Sequence, residues 1–205
     1  MTVAARCRTR VVKLGGSLLA WPNLAAVMRD WLAGQPPAIN ILIAGGGELA
    51  DYIRVADAVH SLGEENSHNL CVGLLNVSAQ LAGCLFPEAC VRTTLNELRQ
   101  DAIGGPDQLV IFNPRDFLDY IDPICSKNPL PHTWQVTSDS IAARVAEAIA
   151  ADELVLLKSA DLPEHHSLSD LASQGYVDGF FPVAAEPLVG RIRFVNLRGY
   201  ENVRR

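Results

Sequence analysis

The stretch Arg10-Val-Val-Lys-Leu-Gly-Gly-Ser17 decides the fold, because a short apolar strand in it runs directly into a glycine turn. Apolar residues then recur over residues 24–32 at the i, i+3, i+4, i+7 spacing of one helix face. The same unit returns at once: the strand Ile39–Ala44 leads into Gly45-Gly46-Gly47 and a second helical pattern over residues 49–59. Two successive units of strand, glycine turn and helix predict a parallel sheet with helices packed on its faces.

The rest of the chain continues this alternation. The predicted helices cover residues 66–85, 93–100 and 138–149, with a short one from Asp116, and the predicted strands cover residues 109–112, 154–157 and 192–196. An apolar stripe is the side that a helix turns towards a core. In the second long helix the stripe is Leu49, Tyr52, Ile53, Ala56 and Val59. In the third it is Leu70, Leu74, Val77, Leu81 and Leu85. We expect a single domain over residues 1–205, with residues 1–9 as a flexible N-terminal extension.

Composition restricts the class of protein. A net charge of -6 argues against a general nucleic-acid binder, because such proteins usually show a basic face. No uncharged apolar run approaches the roughly 20 residues of a membrane span, and the first ten residues lack the apolar core of a signal peptide. The five cysteines have no Cys-x-x-Cys spacing, so we predict reduced, mostly buried thiols in a cytoplasmic protein.

Both glycine turns should border one ligand crevice, because parallel sheets bind ligands outside the carboxyl ends of their strands. Lys13 comes just before Gly15-Gly16-Ser17 on a strand that should be central, and a buried lysine requires an anionic partner. Glycines let the backbone approach a phosphate and direct N–H groups at its oxygens. We therefore predict one phosphate cradle at Gly15, Gly16 and Ser17 and a second at Gly45, Gly46 and Gly47. The alternative is that the glycines only form tight turns.

A third candidate element combines a proline-rich loop, Pro129-Leu-Pro-His-Thr-Trp134, with the helix start Thr137-Ser-Asp-Ser140. Thr137 or Ser138 can cap the helix, and Asp139 in its first turn complements the helix dipole. Such a helix start also suits a bound anion or a metal–phosphate cluster. This places Ser138 among the candidates for cofactor binding.

The charged candidates favour phosphoryl transfer, which requires positioning and positive charge rather than a covalent nucleophile. Lys13 and Lys158 each end a predicted strand, so we predict both as catalytic. Asp139 is the third catalytic candidate, either as an ion-pair partner that holds both lysines or as a residue that helps hold Mg2+. Asp161 follows Lys158 closely and is expected near the nucleotide or its metal.

Four motifs together resemble the amino acid kinase superfamily: Val12-Lys-Leu-Gly-Gly-Ser17, Ala44-Gly-Gly-Gly-Glu48, Val136-Thr-Ser-Asp-Ser-Ile-Ala142 and Leu156-Leu-Lys-Ser-Ala-Asp161. The resemblance implies a three-layer αβα sandwich with a mainly parallel central sheet that binds ATP and Mg2+. It further implies that Lys13 meets the transferring phosphoryl group, that the two glycine turns cradle phosphates, and that Asp139 orients the lysines. Lys158 matches the lysine of uridylate-kinase-like members.

Within the superfamily, one branch is the most similar by its motifs. Leu62-Gly-Glu-Glu-Asn-Ser-His68, residues 128–139, Tyr176-Val-Asp-Gly-Phe-Phe-Pro182 and Phe194-Val-Asn-Leu-Arg-Gly199 resemble the aminomethylfuran-methyl-phosphate kinases of methanofuran biosynthesis, a part of one-carbon metabolism. The resemblance implies transfer to a phosphate, which is a nucleophile at pH 7 without a general base.

The same resemblance makes His68, His132 and Trp134 candidates for the acceptor pocket, since an aromatic ring and a histidine suit a furan with a charged aminomethyl group. For His68, a packing role is an equal alternative. Arg115, after Asn113-Pro114, is a candidate contact of the acceptor phosphate.

One segment departs from the superfamily. Members usually continue from the position of Asp161 into a Val-Asp-Gly-Ile/Val-Tyr loop that helps hold the nucleotide, whereas this chain has Leu162-Pro-Glu-His-His-Ser167. Two alternatives stay open. One is a kinase for another acceptor, such as isopentenyl phosphate, an amino acid or a nucleoside monophosphate. The other is a non-catalytic module that binds a nucleotide or an oxyanion. Membership of the superfamily also favours a homo-oligomer.

Overall fold

The structure is a computed structural model that describes residues 7–101, 108–126, 128–164 and 167–203, with side chains to residue 200. A sheet of six strands forms its centre: β1 Thr9–Leu14, β2 Ile39–Ala44, β3 Cys90–Arg92, β4 Leu109–Phe112, β5 Glu153–Lys158 and β6 Ile192–Asn196. The strand order is β3-β4-β2-β1-β5-β6, and every pairing is parallel. β1 and β2 are buried along their whole length, as their continuous apolar runs predict for a parallel sheet.

Helices cover both faces of this sheet. They are α1 Leu24–Ala33, α2 Glu48–His60, α3 Glu64–Leu85, α4 Leu95–Asp101, α5 Asp122–Cys125, α6 Ser138–Ala148, α7 Leu168–Ser173, α8 Phe181–Ala184 and α9 Leu197–Val203. Three shorter helical segments accompany them: 3-10 turns at Gly16–Leu18 and Glu186–Leu188 and a π-helical turn at Phe117–Ile121.

Alternate residues of each strand pack into two separate cores. Val11 and Leu156 lie in one core with α6 and α8, whereas Val12 and Leu157 lie in the other with α1 and Leu197 of α9. This alternation follows from the period-2 geometry of a strand. The predicted three-layer αβα sandwich is therefore confirmed.

The strand register brings three carboxyl ends to one level. Leu14 of β1 pairs with Ala44 of β2 and with Leu157 of β5. The Gly15 N–H donates to the Leu157 carbonyl at 2.9 Å, and the Gly45 N–H donates to the Leu14 carbonyl at 2.9 Å. Both glycine turns thus leave the sheet at the carboxyl ends of the neighbouring strands β1 and β2, at one crevice.

The predicted core-facing stripes of the second and third long helices are wrong. Of the α2 stripe only Ile53 is buried, and Leu70, Val77 and Leu81 of α3 are 50%, 48% and 42% exposed. The buried face of α3 consists of Ser67, Val72, Leu75, Ser78, Ala79 and Ala82. Several of these residues are small, so α3 can approach the sheet closely on that side while its larger apolar residues remain outside.

Other sequence expectations need smaller corrections. The edge strand β3 and the helix α7, which begins with a capping box at Ser167 and Asp170, were not predicted. β1 begins at Thr9, within the predicted extension, of which residues 1–6 lie outside the description. All five cysteines are free thiols as expected, but three are exposed and two are half-buried, so the expectation of mostly buried thiols is wrong. Among the described residues, no helix combines the length and the apolar character that a bilayer span requires.

Candidate active site

Three predicted catalytic residues meet at the carboxyl ends of β1 and β5. The ammonium of Lys13 lies 2.9 Å from Oδ1 of Asp139, and the ammonium of Lys158 donates to Oδ2 of the same carboxylate at 2.7 Å. Lys13 is only 5% exposed and Asp139 only 4% exposed. The two lysines come from neighbouring strands, and Asp139 comes from the first turn of α6, so sheet and helix together form this ion pair network.

Electrostatics keeps the central carboxyl group ionised. Burial alone would raise the pKa of Asp139, but Lys13 and Lys158 outweigh burial and hold that pKa below its usual value. Burial, together with the charge of Lys13, lowers the pKa of Lys158, while Asp139 opposes this change. The result is a charged cluster in which two cations share one carboxylate.

The two glycine turns pack against each other. A Cβ atom on Gly16 would lie 2.2 Å from the backbone nitrogen of Gly47, and one on Gly45 would lie 2.8 Å from the hydroxyl oxygen of Ser138. Gly47 has φ of 59°, in the left-handed region that favours glycine. Packing between the turns therefore already requires glycine, which supports the tight-turn interpretation without excluding a phosphate cradle.

Backbone donors are available at both turns. Within the described residues, the N–H groups of Gly16, Ser17, Gly46 and Gly47 donate to no protein acceptor, whereas those of Gly15 and Gly45 continue the sheet. Clustered N–H groups of this kind bind oxyanions. Together with the two lysines, the turns supply the donors that phosphate groups require.

A small cavity of about 70 Å³ opens beside the second turn and the start of α6. It is lined by Gly46, Ala50, Arg54, His68, Cys71, Val72, Leu75, Thr133, Trp134, Val136, Thr137, Ser138 and Ile141. Ala50 and Arg54 are four residues apart and therefore lie on one face of α2, and Gly46 lies in the turn just before this helix. The cavity wall thus runs from the second turn along that face of α2. A molecule whose phosphate lies at Gly46 can extend its remaining atoms into this cavity.

Trp134 is held in the wall of the cavity by contacts on α2. Its indole N–H donates to the Asp57 carboxylate at 2.8 Å, and the guanidinium carbon of Arg54 lies 4.9 Å from its ring centroid. The Trp134 hydrogen bond is the main cause that lowers the pKa of Asp57. The cation over Trp134 is therefore the protein's own Arg54, and the predicted contact of Trp134 with an aminomethyl group of the acceptor stays a prediction.

Two other residues predicted to contact the phosphate acceptor, His132 and Arg115, lie outside the lining of this cavity. His132 stacks on His68 with ring centroids 4.1 Å apart, and its Nδ1 lies 3.0 Å from the Glu65 carboxylate. Burial and the neighbouring His132 lower the pKa of His68, which lines the cavity itself. Arg115 is exposed and pairs with Asp119 at 3.5 Å.

Of the residues predicted to bind the nucleotide, Ser17 and Asp161 lie beside the end of β5, whereas Ser138 lies beside the second glycine turn. The hydroxyl groups of Ser17 and Ser159 are 3.0 Å apart, and Ser138 is buried beside Gly45. Asp161 accepts a hydrogen bond from the Asn196 side chain at 2.8 Å, which joins the segment after β5 to the end of β6.

The residues present fit a Mg2+ ion that enters together with ATP. Among the described residues, no three His, Cys, Asp or Glu side chains cluster as a metal site. Mg2+ commonly binds through substrate phosphates, water and one or two carboxylates, so a metal that enters with the nucleotide needs no such cluster. Asp161, three residues after β5 ends at Lys158, offers one such carboxylate.

Sequence reasoning assigned no role to Asp178, although it quoted the segment that contains it. Its carboxylate accepts hydrogen bonds from the backbone N–H groups of Thr137 at 3.0 Å and Ser140 at 2.9 Å. It therefore caps the helix that carries Asp139. Because Asp178 lies about 40 residues further along the chain, only its Val-Asp-Gly context could have indicated it from the sequence.

The parallel αβα sandwich with two lysines and two glycine turns at one crevice defines a class of phosphotransferases. The model of the amino acid kinase family matches residues 8–161, well over half of the chain, so the chain belongs to that family. The proteins to which it is similar are kinases, and the chain is accordingly a kinase.

Individual relatives are more distant. The chain is 24% identical over 208 aligned residues to the (5-(aminomethyl)furan-3-yl)methyl phosphate kinase of Methanocaldococcus jannaschii, which covers 94% of this chain and 90% of the relative. Among solved structures, uridylate kinase from Archaeoglobus fulgidus has a TM-score of 0.60 at 18% identity and covers 95% of this chain and 93% of that one. UMP kinase from Bacillus anthracis has a TM-score of 0.58 at 16% identity, covering 94% and 88%. These structural matches establish the fold.

Contact between the two turns predicts the effect of substituting Gly16. Gly16→Ala should lower the free energy of unfolding by about 1–3 kcal/mol, because its methyl group would force the turns apart. The matched control is Gly73→Ala in α3, where a Cβ meets nothing within 4 Å and the change should be neutral or stabilising by up to about 1 kcal/mol. Urea denaturation midpoints measure both, and equal midpoints for Gly16→Ala and wild type would contradict the packing argument.

Proposed function

We propose that this kinase transfers the γ-phosphoryl group of ATP, with Mg2+, to the phosphate group of a small acceptor. The carrying observation is the shared contact of Lys13 and Lys158 with Asp139, beside two glycine turns in which several N–H groups donate to no acceptor among the described residues. Two donor-rich turns match two phosphorylated substrates.

The chemistry requires little from the protein beyond charge and alignment. An oxygen of the acceptor phosphate attacks the γ-phosphorus, the bond to the bridging oxygen of the β-phosphate breaks, and ADP leaves. Lys13 and Lys158 offset the negative charge that spreads over the transferring oxygens. Asp139 holds both lysines in position and removes no proton, because a phosphate acceptor is already a nucleophile at pH 7.

The two turns divide between the substrates. We assign Gly15, Gly16, Ser17 and Asp161 to the nucleotide, and Gly45, Gly46 and Gly47 to the acceptor phosphate. Ser138 was predicted to bind the nucleotide but lines the acceptor cavity beside Gly45, so we assign it to the junction of the two sites. The cavity that continues from Gly46 to Trp134 then takes the rest of the acceptor. His132 and Arg115 lie further out, so we assign them to the rim of the acceptor site.

An aminomethylfuran-methyl phosphate is the acceptor we favour, with its diphosphate as product. The name of the Methanocaldococcus jannaschii relative, which aligns with nearly the whole chain, supports this choice. The cavity supports it as well, since about 70 Å³ beside an indole ring suits a small flat ring. We assign this reaction to methanofuran-type cofactor biosynthesis in one-carbon metabolism, and we propose a cytoplasmic location for the enzyme.

The role of Lys13 predicts the outcome of its removal. Lys13→Ala should lower kcat by about a hundredfold or more, because it removes a charge aimed at the transferring group. Turnover is measured as diphosphate formation, and calorimetry with Mg2+ and a non-hydrolysable ATP analogue measures nucleotide binding. Arg8→Ala serves as control, since it removes an exposed cation just before β1, at the opposite end of the strand from Lys13. Near-normal turnover of Lys13→Ala would refute the assignment.

The acceptor cavity predicts a selective effect at Trp134. Trp134→Ala should raise the KM of the acceptor about tenfold or more, while the nucleotide affinity changes little, because the indole contacts only the acceptor side. Trp134→Phe keeps a ring but loses the hydrogen bond to Asp57, so its KM for the acceptor should lie between those of wild type and Trp134→Ala. The panel of acceptors is the furan phosphate, isopentenyl phosphate, UMP and an amino acid. A preference for another acceptor of the panel would overturn the assignment of the furan phosphate, but not the conclusion that the protein is a kinase.

We also propose that the enzyme is a homo-oligomer that buries the exposed stripe of α3. Leu70, Leu74, Val77 and Leu81 are spaced by four, three and four residues, the spacing of a seam between packed helices. Val77→Glu combined with Leu81→Glu should therefore convert the wild-type oligomer into a monomer by light scattering. Ile124→Glu, at an exposed apolar residue of α5, should leave the mass unchanged. A monomeric wild type would refute this proposal.

A further inference from the structure

The first turn of α6 lacks a cap of its own. Its N-cap residue, Thr137, makes no side-chain hydrogen bond to the helix, although the first turn of any helix presents N–H groups without intrahelical partners. The Asp178 carboxylate fills this gap from the segment after α7. It accepts from the Thr137 N–H and hydroxyl at 3.0 and 2.9 Å, from the Ser140 N–H at 2.9 Å, and from the Ser140 hydroxyl.

Asp139 stands between the residues that Asp178 holds. Because Thr137 and Ser140 flank it within one helical turn, the direction of the Asp139 side chain is set by how firmly that turn is fixed. The consequence reaches both lysines, since each pairs with one oxygen of Asp139. Asp178 thereby occupies N–H groups at the helix start that a bound anion would otherwise use.

The same segment contacts the second lysine directly. The ammonium of Lys158 lies 5.4 Å from the ring centroid of Tyr176, and the Tyr176 hydroxyl donates to the Ala160 carbonyl at 3.3 Å. Burial, followed by the charges of Asp161 and Asp139, raises the pKa of Tyr176 to about 12, so this hydroxyl stays protonated and can donate. One short stretch thus touches both the helix that carries Asp139 and the loop that follows Lys158.

We propose that residues 176–180 form a brace that positions the catalytic ion pair, with Asp178 as a positioning residue that acts through α6. The brace lies beyond residue 161, where the family match ends, so this part of the site comes from the chain's own C-terminal region. The role of the brace in catalysis rests on the proposed phosphoryl transfer. Its effect on the positions of Lys13, Asp139 and Lys158 does not depend on that proposal.

Kinetics of Asp178 variants test the catalytic meaning. Asp178→Ala should lower kcat by about a hundredfold, as misplacement of a reacting group by about 1 Å does, with a nucleotide KM within about threefold of wild type. Asp178→Asn keeps an acceptor oxygen and should lose less, which provides a folded variant if Asp178→Ala is unstable. The matched control is Asp152→Asn. Asp152 also accepts from a backbone N–H and a threonine hydroxyl, both of Thr9, but at the opposite end of the sheet.

A spectroscopic measurement tests the geometry without any turnover. The chain contains only three lysines, Lys13, Lys127 and Lys158, so protein labelled with 13C and 15N at lysine gives three side-chain signals. Lys13→Arg and Lys158→Arg variants assign the two site signals. In Asp178→Asn both site signals should shift and the pKa of Lys158 should fall, because the Asp178 carboxylate raises it. In Asp152→Asn the three signals should match those of wild type.

The two experiments separate the brace from the proposed function. If the wild type turns over no acceptor but the lysine signals respond to Asp178→Asn, the proposed reaction fails and the brace stands. If the wild type is active while folded Asp178→Ala and Asp178→Asn show wild-type kcat and unshifted site signals, the brace fails and the reaction stands. A loss of kcat equal to that of Asp152→Asn would reduce Asp178 to a general stabilising residue and also overturn the proposal.

Discussion

The carboxylate of Asp139 holds two ammonium groups that reach it from neighbouring strands, and it is nearly inaccessible to water. Removal of one partner from a buried ion pair commonly costs about 3–5 kcal/mol, because an uncompensated charge remains. β1, β5 and α6 are therefore coupled by charge as well as by packing. The register that pairs Lys13 with Leu156 brings the two lysines within reach of one carboxylate, so the sheet pairing and the site depend on each other.

The glycine turns show how one sequence feature can satisfy two requirements. Gly16 and Gly47 approach so closely that a side chain on Gly16 would meet backbone, which explains these glycines by packing alone. That close approach also brings the N–H groups of both turns to one crevice beside Lys13. A tight turn and a phosphate cradle are therefore compatible at these glycines, because the packing that needs glycine also leaves several N–H groups without a protein acceptor among the described residues.

Sequence reasoning succeeded where a local pattern determines the position in space. Lys13, Gly45 and Lys158 each end an apolar strand, and the ends of parallel strands meet at one edge whatever lies between them. It failed where position depends on contacts distant in the chain. Which side of α3 faces the sheet was decided by the small residues Ser78 and Ala79, although the larger apolar residues form the clearer periodic pattern. No pattern within α6 could reveal that its cap comes from Asp178.

The Val-Asp-Gly run that is absent after Asp161 occurs further along the chain. Val177-Asp-Gly179 follows α7 and returns to the crevice. In that position its carboxylate faces the start of α6, and Tyr176 lies beside Lys158. The site is consequently built by three parts of the chain: two strand–turn units, the helix start at Thr137, and a segment beyond the family match. A truncation that preserved every motif up to Asp161 would still leave the first turn of α6 without its cap. The intact geometry of the ion pair therefore requires the chain to extend at least through Phe180, whose N–H donates to Gln135 and holds the segment against the loop before α6.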